Sequence, residues 1–329
     1  KAYKAEKNFA ESLDNYTQAA DIAKNIRDKK LEAEIHIETG FLYQDWNAYA
    51  KSEEFFDKAY ELHKANKDVE GMSNTLNYKA LSFYRDGDLE QALKVYQQQL
   101  NLANEHKDKN EAVSALRNIA NIYTRFNDNE SALRYNIAIL DIKKEQNDSL
   151  GMSTYYNNVG SIYQKLSQTS KALDSFKDAY QINQSLKKDD ADNVVILRNI
   201  GVIYQTMRDY RSALKYFKEA LRILEEKKDV KEVARTCNYI TTIYYGLEDY
   251  PNAIAYTQKA IDLAKQEDAK DVLEKSYQRM SDIYEKQRNN RLALEYFKKY
   301  ADVKDDIIDG ERMKQEDIKR QQMLVEKEE

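Results

Sequence analysis

The chain is poor in residues that punctuate, cross-link or catalyse. One proline and eight glycines serve 329 residues, too few for a sheet-rich fold, which needs a turn every ten residues or so. Cys237 is the only cysteine, so no internal disulfide forms and nothing argues for an oxidising compartment. The three histidines, His36, His63 and His106, are scattered, and none is expected beside Cys237. Neither a zinc site nor a Cys–His nucleophile is therefore supported. No glycine-rich phosphate loop is present. No run approaches the roughly 18 apolar residues of a transmembrane helix, and the first residues do not resemble a signal peptide. Net charge is only −5, from 52 basic and 57 acidic residues mixed along the chain, which argues against nucleic-acid binding. From these absences we expect no catalytic residue, no metal and no cofactor. A reducing cytoplasm is the expected setting, although a cysteine-poor periplasmic protein would look the same. A chain that begins at Lys1 and ends in EKEE reads as a piece of something longer.

What is abundant is helix-forming sequence with a strict period. An aromatic residue recurs as Tyr3, Tyr43, Phe83, Tyr123, Tyr163, Tyr204, Tyr244 and Tyr284, at intervals of 40 residues with one of 41. A small residue follows nine positions later each time: Ser12, Ser52, Ala92, Ala132, Ala172, Ala213, Ala253 and Ala293. The extra residue of the longer interval is expected within Lys187–Asp192, where insertion is cheap.

Each unit reads as two helices around a polar break. In the sixth, NVVILRNIGVIYQTM and RSALKYFKEALRILEEK each carry an apolar stripe of helical period. The breaks include Asp86-Gly87-Asp88, Asn127-Asp128-Asn129, Arg208-Asp209-Tyr210 and Glu248-Asp249-Tyr250, and Pro251 suits a first helical turn. Between units, Asp68, Asp108, Asp148, Asp229 and Asp268 are expected at or near helix N-caps. Small residues mark close approaches: Gly40, Ala80, Ala120, Gly160, Gly201, Thr241 and Ser281 in first helices, and Ala19, Ala59, Ala179, Ala220 and Ala260 in second helices. Gln99 and Ile139 break the second column and suggest looser packing there. Tyr300 breaks it where no further hairpin need stack. His36 and Cys237 fall at a core or hairpin-contact position, as a satisfied buried histidine and a small buried hydrophobe.

Gly201, Tyr204, Ala213, Phe217 and Ala220 match the order of the tetratricopeptide repeat, and the resemblance spans residues 1 to about 304 as eight motifs, the first with its leading helix cut short. LRNIANIY, YNNVGSIY and LRNIGVIY resemble the longer-repeat type found in kinesin light chains and bacterial peptide-pheromone receptors. The resemblance implies an all-α fold: a right-handed α-solenoid of about eight helix-turn-helix hairpins, with motifs near 1–28, 29–68, 69–108, 109–148, 149–188, 189–229, 230–269 and 270–304. Residues 305–329 would form a charged capping or connecting helix, with Gly310 as a break. Within it Ile318 and Val325 stand seven apart, thin evidence for a heptad.

In such a solenoid the first helices line the concave groove. Five and six residues before each aromatic lie Asn77-Tyr78, Arg117-Asn118, Asn157-Asn158, Arg198-Asn199 and Asn238-Tyr239. One position after it lie Tyr84, Thr124, Gln164, Gln205 and Tyr245. An asparagine amide offers a donor and an acceptor to an extended peptide, and Arg117 and Arg198 can clamp a carboxylate. The alternative is that these asparagines bridge neighbouring repeats. The candidate groove residues are therefore Asn77, Tyr84, Arg117, Asn118, Asn157, Asn158, Gln164, Arg198, Asn199, Gln205, Asn238 and Tyr245. The resemblance implies a non-enzymatic module that binds a peptide or protein partner and regulates a larger bacterial signalling protein. The competing reading is a passive assembly scaffold, a homodimer through its C-terminal helix.

Overall fold

In the computed structural model, residues 2–186 and 191–328 are described, with side chains placed for 9–186, 193–316, 318 and 319. They form fifteen helices and no strand. In chain order these are α1 (Ala2–Asn25), α2 (Lys29–Asp45), α3 (Tyr49–Ala65), α4 (Val69–Asp86), α5 (Leu89–Glu105), α6 (Lys109–Arg125), α7 (Asn129–Glu145), α8 (Ser149–Lys165), α9 (Thr169–Ser185), α10 (Ala191–Thr206), α11 (Tyr210–Lys227), α12 (Val230–Gly246), α13 (Tyr250–Gln266), α14 (Lys270–Lys286) and α15 (Asn290–Glu328). The chain divides into two compact units, Lys1–Ile142 with Met313–Glu329, and Lys143–Arg312. In the first, α1 packs on α2 and so on in order up to α5 on α6; in the second, α8 packs on α9 and so on up to α13 on α14. This is an all-α solenoid architecture. The stretch expected to hold the extra residue, 187–192, lies largely outside the described residues.

One turn type is used between helices. A non-glycine residue adopts positive φ at Arg27, Asn47, Lys67, Lys107, Asn127, Asn147, Ser167, Arg208, Lys228, Glu248, Asp268 and Arg288, and Gly87 does the same at φ 93°. After α11, for example, Lys228 donates to the Glu225 carbonyl and Asp229 to the Leu224 carbonyl, closing the helix end. The next residue starts the following helix. Asp28, Asp68, Asp88, Asp108, Asp148, Asp209, Asp229 and Asp249 accept N-capping hydrogen bonds there. Asp268 departs from expectation. Its backbone has the positive φ of 48°, and Ala269 takes the N-cap position without a side-chain bond. The register fixes which residue turns, whatever its identity.

Two aromatic contacts build the hairpins. The periodic tyrosine stacks on the residue twelve positions later where that is aromatic: Tyr43 on Phe55, Tyr123 on Tyr135, Tyr204 on Tyr216, Tyr244 on Tyr256 and Tyr284 on Tyr296, at 5.4–5.7 Å and within 21° of parallel. The next residue along lies over the small position of its own first helix. Cβ atoms built on Gly40, Gly160 and Gly201 would come within 2.6–2.8 Å of the Phe56, Phe176 and Phe217 rings, all fully buried. Where the small residue is Thr241, the partner is Thr257 and the two hydroxyls bond at 3.2 Å. The two columns compensate in volume, as close packing requires.

Several sequence expectations are corrected. Gln99 and Ile139 do not loosen their units, for they are 1% and 0% exposed, and Gln99 donates to Ser73 and Glu111 at 3.3 Å. His36 is not a satisfied core histidine: its Nδ1 is buried without a hydrogen-bond partner, while the ring tilts against Phe55. Cys237 is fully buried, which pushes its thiol pKa up to about 12. The first motif is one continuous helix, Ala2–Asn25, without a turn. Gly310 makes no break either, because α15 runs through it. A helix built mainly of strong formers absorbs one glycine at a cost of about 1 kcal/mol.

Candidate functional site

The candidate residues lie on first helices of hairpins, from α4 to α12, because each stands at a fixed offset from the aromatic of its own first helix. In the first unit, Asn118 Nδ2 donates to Asn77 Oδ1 at 3.1 Å. Arg117 is exposed beside this pair, and Arg125 covers the Tyr84 ring at 4.8 Å. In the second unit, Asn199 Nδ2 donates to Asn157 Oδ1 at 2.9 Å, and Ser276 Oγ donates to Asn238 Oδ1 at 3.0 Å. Asn158, Gln164 and Gln205 are half-buried and take part in no such bridge.

The bridges use half of each amide. A carboxamide has two N–H donors and an acceptor oxygen. In the pair Asn77–Asn118, the Asn118 oxygen and the Asn77 amino group take no part in the bond, and the same holds for Asn199 and Asn157. Each pair thus keeps one acceptor and one donor for a ligand, fixed in place by the shared bond. At Asn238 the amino group remains. The asparagines therefore couple neighbouring hairpins and retain hydrogen-bonding capacity at once.

Arg198 is committed within the chain. Its Nη1 donates to Glu232 Oε2 at 2.6 Å, with side chains 16% and 23% exposed. Glu232 also receives Arg235, which donates to Asp271 at 2.5 Å. Burial would raise the Glu232 pKa, but Arg198 and Arg235 outweigh it and hold the carboxyl below its usual range. This chain of charges ties α10 to α12 and α12 to α14.

Between α12 and α14 lies a groove of about 310 Å³. Asn238, Tyr239 and Thr242 line it from α12, and Asp271, Lys275, Gln278, Arg279 and Asp282 from α14, with Arg235 at one edge. Tyr239 stacks on Phe217 at 5.3 Å, and Arg279 covers Tyr245 at 4.9 Å while facing Asp282 at 3.4 Å. Burial pushes the Asp282 carboxyl up, against the opposing pull of Arg279. Such walls offer amide, hydroxyl, guanidinium and ammonium groups around an aromatic floor. Among the described residues no cluster of His, Cys, Asp and Glu has the geometry to hold a metal ion, and no helix is long and apolar enough to cross a membrane.

The sequence reading missed Arg235, Lys275, Gln278, Arg279 and Asp282. Gln278 and Arg279 occupy the same two columns as the asparagines, six and five residues before Tyr284. Extending the columns into the last unit would have found them. Arg235 and Lys275 carry no such periodic signal.

No curated protein matches the chain. Among solved structures it is similar to BtubC from P. vanneervenii, with 20% identity over 68% of this chain and 91% of that one, at a TM-score of 0.59. It is also similar to the apo form of the quorum sensor NprR from B. thuringiensis, with 16% identity over 88% and 82% and a TM-score of 0.62. A signal-transduction ATPase with a tetratricopeptide repeat sensor from Pyrococcus horikoshii aligns with 13% identity over 89% of this chain and 45% of that one, at a TM-score of 0.68. At these identities the likeness concerns the fold. The tetratricopeptide repeat is matched in the sequence itself over residues 71–145, 151–226 and 274–306, more than half of the chain. With its hairpins at 40-residue spacing, the chain belongs to the tetratricopeptide repeat family, in its longer-repeat form.

Proposed function

We propose that this chain is a peptide-binding regulatory module that holds an extended segment of a partner along the first helices of its hairpins. The observation that carries the reading is the half-used amide. Asn77–Asn118 and Asn157–Asn199 each keep one donor and one acceptor in a bridged, preorganised pair, the complement of a peptide unit's own N–H and C=O. The groove between α12 and α14 adds an aromatic floor and charged walls for a side chain. Two proteins of similar fold are the quorum sensor NprR and a signal-transduction ATPase with a repeat sensor, which agrees with a sensory part in a larger bacterial signalling protein. A ligand that bridges two hairpins would favour one arrangement of the pair, and in repeat proteins such local rotations accumulate along the stack.

The test pans a random-sequence peptide phage library on the immobilised chain and measures the affinity of the enriched peptides. The variant Asn118→Ala, Asn158→Ala, Asn199→Ala should lose at least tenfold, about 1.4 kcal/mol, while a thermal melt confirms that it is folded. Unchanged affinity in the folded variant removes the asparagines from the site. A library that enriches nothing removes the peptide reading.

A further inference from the structure

Helix α15 carries an exposed apolar ridge. Leu294, Phe297 and Ile308 are 55%, 53% and 54% exposed. Their spacing, with Ala301 between, places them on one helix face. The counterparts of Phe297 in earlier hairpins are Phe56, Phe176 and Phe217, all fully buried, and Phe217 is stacked by Tyr239 of the following hairpin. At the position of the fully buried Ala59, Ala179, Ala220 and Ala260 stands Tyr300, which is half-buried.

The charges beside the ridge point to what covers it. Arg291 and Lys298 lie toward the N-terminal end on one flank, and Asp302, Asp305 and Asp309 follow on the same flank. A second copy laid antiparallel, with the two-fold axis near Ala301, sets Leu294 against the partner's Ile308. It also sets the basic end of each flank against the acidic end of the other. A parallel two-fold copy would put this flank on opposite sides of the contact, so its basic and acidic ends would not meet their complements. The small half-buried side chain of Ala301 at the crossing lets the two helices approach.

We propose that the outer face of α15, residues 291–309, is a self-association surface that pairs two copies antiparallel about Ala301. Sedimentation equilibrium of the full 329-residue chain should show a dimer. Arg291→Glu with Lys298→Glu should weaken it by about tenfold, and adding Asp302→Lys with Asp305→Lys should restore it. Cysteine scanning fixes the orientation, since native Cys237 is buried. Ala301→Cys should form an interchain disulfide under mild oxidation. Arg312→Cys should not, because two copies of residue 312 would stand roughly 33 Å apart at 1.5 Å per residue. A chain that stays monomeric overturns the proposal, as does cross-linking through Arg312→Cys or a dimer indifferent to the charge reversals.

Discussion

Gly201 has a Cβ-sized gap that does not exist: the ring of Phe217 would stand 2.6 Å from an added carbon and is itself fully buried. Substituting Gly201→Ala should cost about 1–3 kcal/mol through overpacking, read as a fall in the urea midpoint. Pairing it with Phe217→Thr should recover part of the loss, because Thr241 and Thr257 show a smaller pair at the equivalent place. A destabilisation unaltered by the second change would refute the volume argument. Glu53 is a second residue whose surroundings decide its behaviour. Burial raises its pKa from 4.5 to about 7, with Lys79 opposing and Asp57, Asp86 and Asp88 assisting. A carboxyl whose folded pKa is raised binds more protons folded than unfolded. Its contribution is therefore fully present below pH 4.5 and is lost as pH rises to about 7. Glu53→Gln should flatten the melting temperature across that window, leaving Tm higher than wild type at pH 8. A parallel pH profile in both proteins would contradict this.

Elements are set by their ends as much as by their stripes. Twelve turns carry a non-glycine residue at positive φ, a conformation that costs an ordinary side chain about 1 kcal/mol. Arg208→Gly should therefore raise the melting temperature, whereas Asp209→Ala, which removes the hydrogen bond to Ser212 N–H, should lower it by a change worth about 1 kcal/mol. Opposite signs at adjacent residues are the signature to look for. The sequence made these turns legible as polar breaks, and nine aspartates at them, Asp128 included, do cap helices. Asp268 misled because capping chemistry does not reveal register by one residue; the hairpin geometry does.

For the molecule as a chain of hairpins, stability resides in nearest-neighbour contacts. Glu232 is shared by Arg198 of α10 and Arg235 of α12, and Arg235 continues to Asp271 of α14. Glu232→Gln should weaken that junction by roughly 1.5–3 kcal/mol and let the second unit melt in two steps by calorimetry. The lowered pKa of Glu232 means that the wild-type junction is at full strength above pH 4.5 and weakens on acidification, whereas the variant's is insensitive to it. A single sharp transition in the variant would show that other contacts carry the coupling.

The amino-acid sequence by itself determined the helices, the hairpin count to within the first motif, and the columns of aromatic and small residues, because a stack of like units writes each packing constraint once per repeat. It also located the asparagine columns. Tertiary structure decided what those columns do. Whether Asn118 meets Asn77, or Arg198 meets Glu232, depends on the offset between neighbouring hairpins, a fraction of a helical turn that periodicity does not encode. The same holds for Tyr84 and Tyr245, which lie under Arg125 and Arg279. It holds too for α15, whose ridge reads like any buried stripe although Leu294, Phe297 and Ile308 are more than half exposed. Repetition makes the scaffold legible, and the contacts that differ between repeats exist only once the hairpins are stacked.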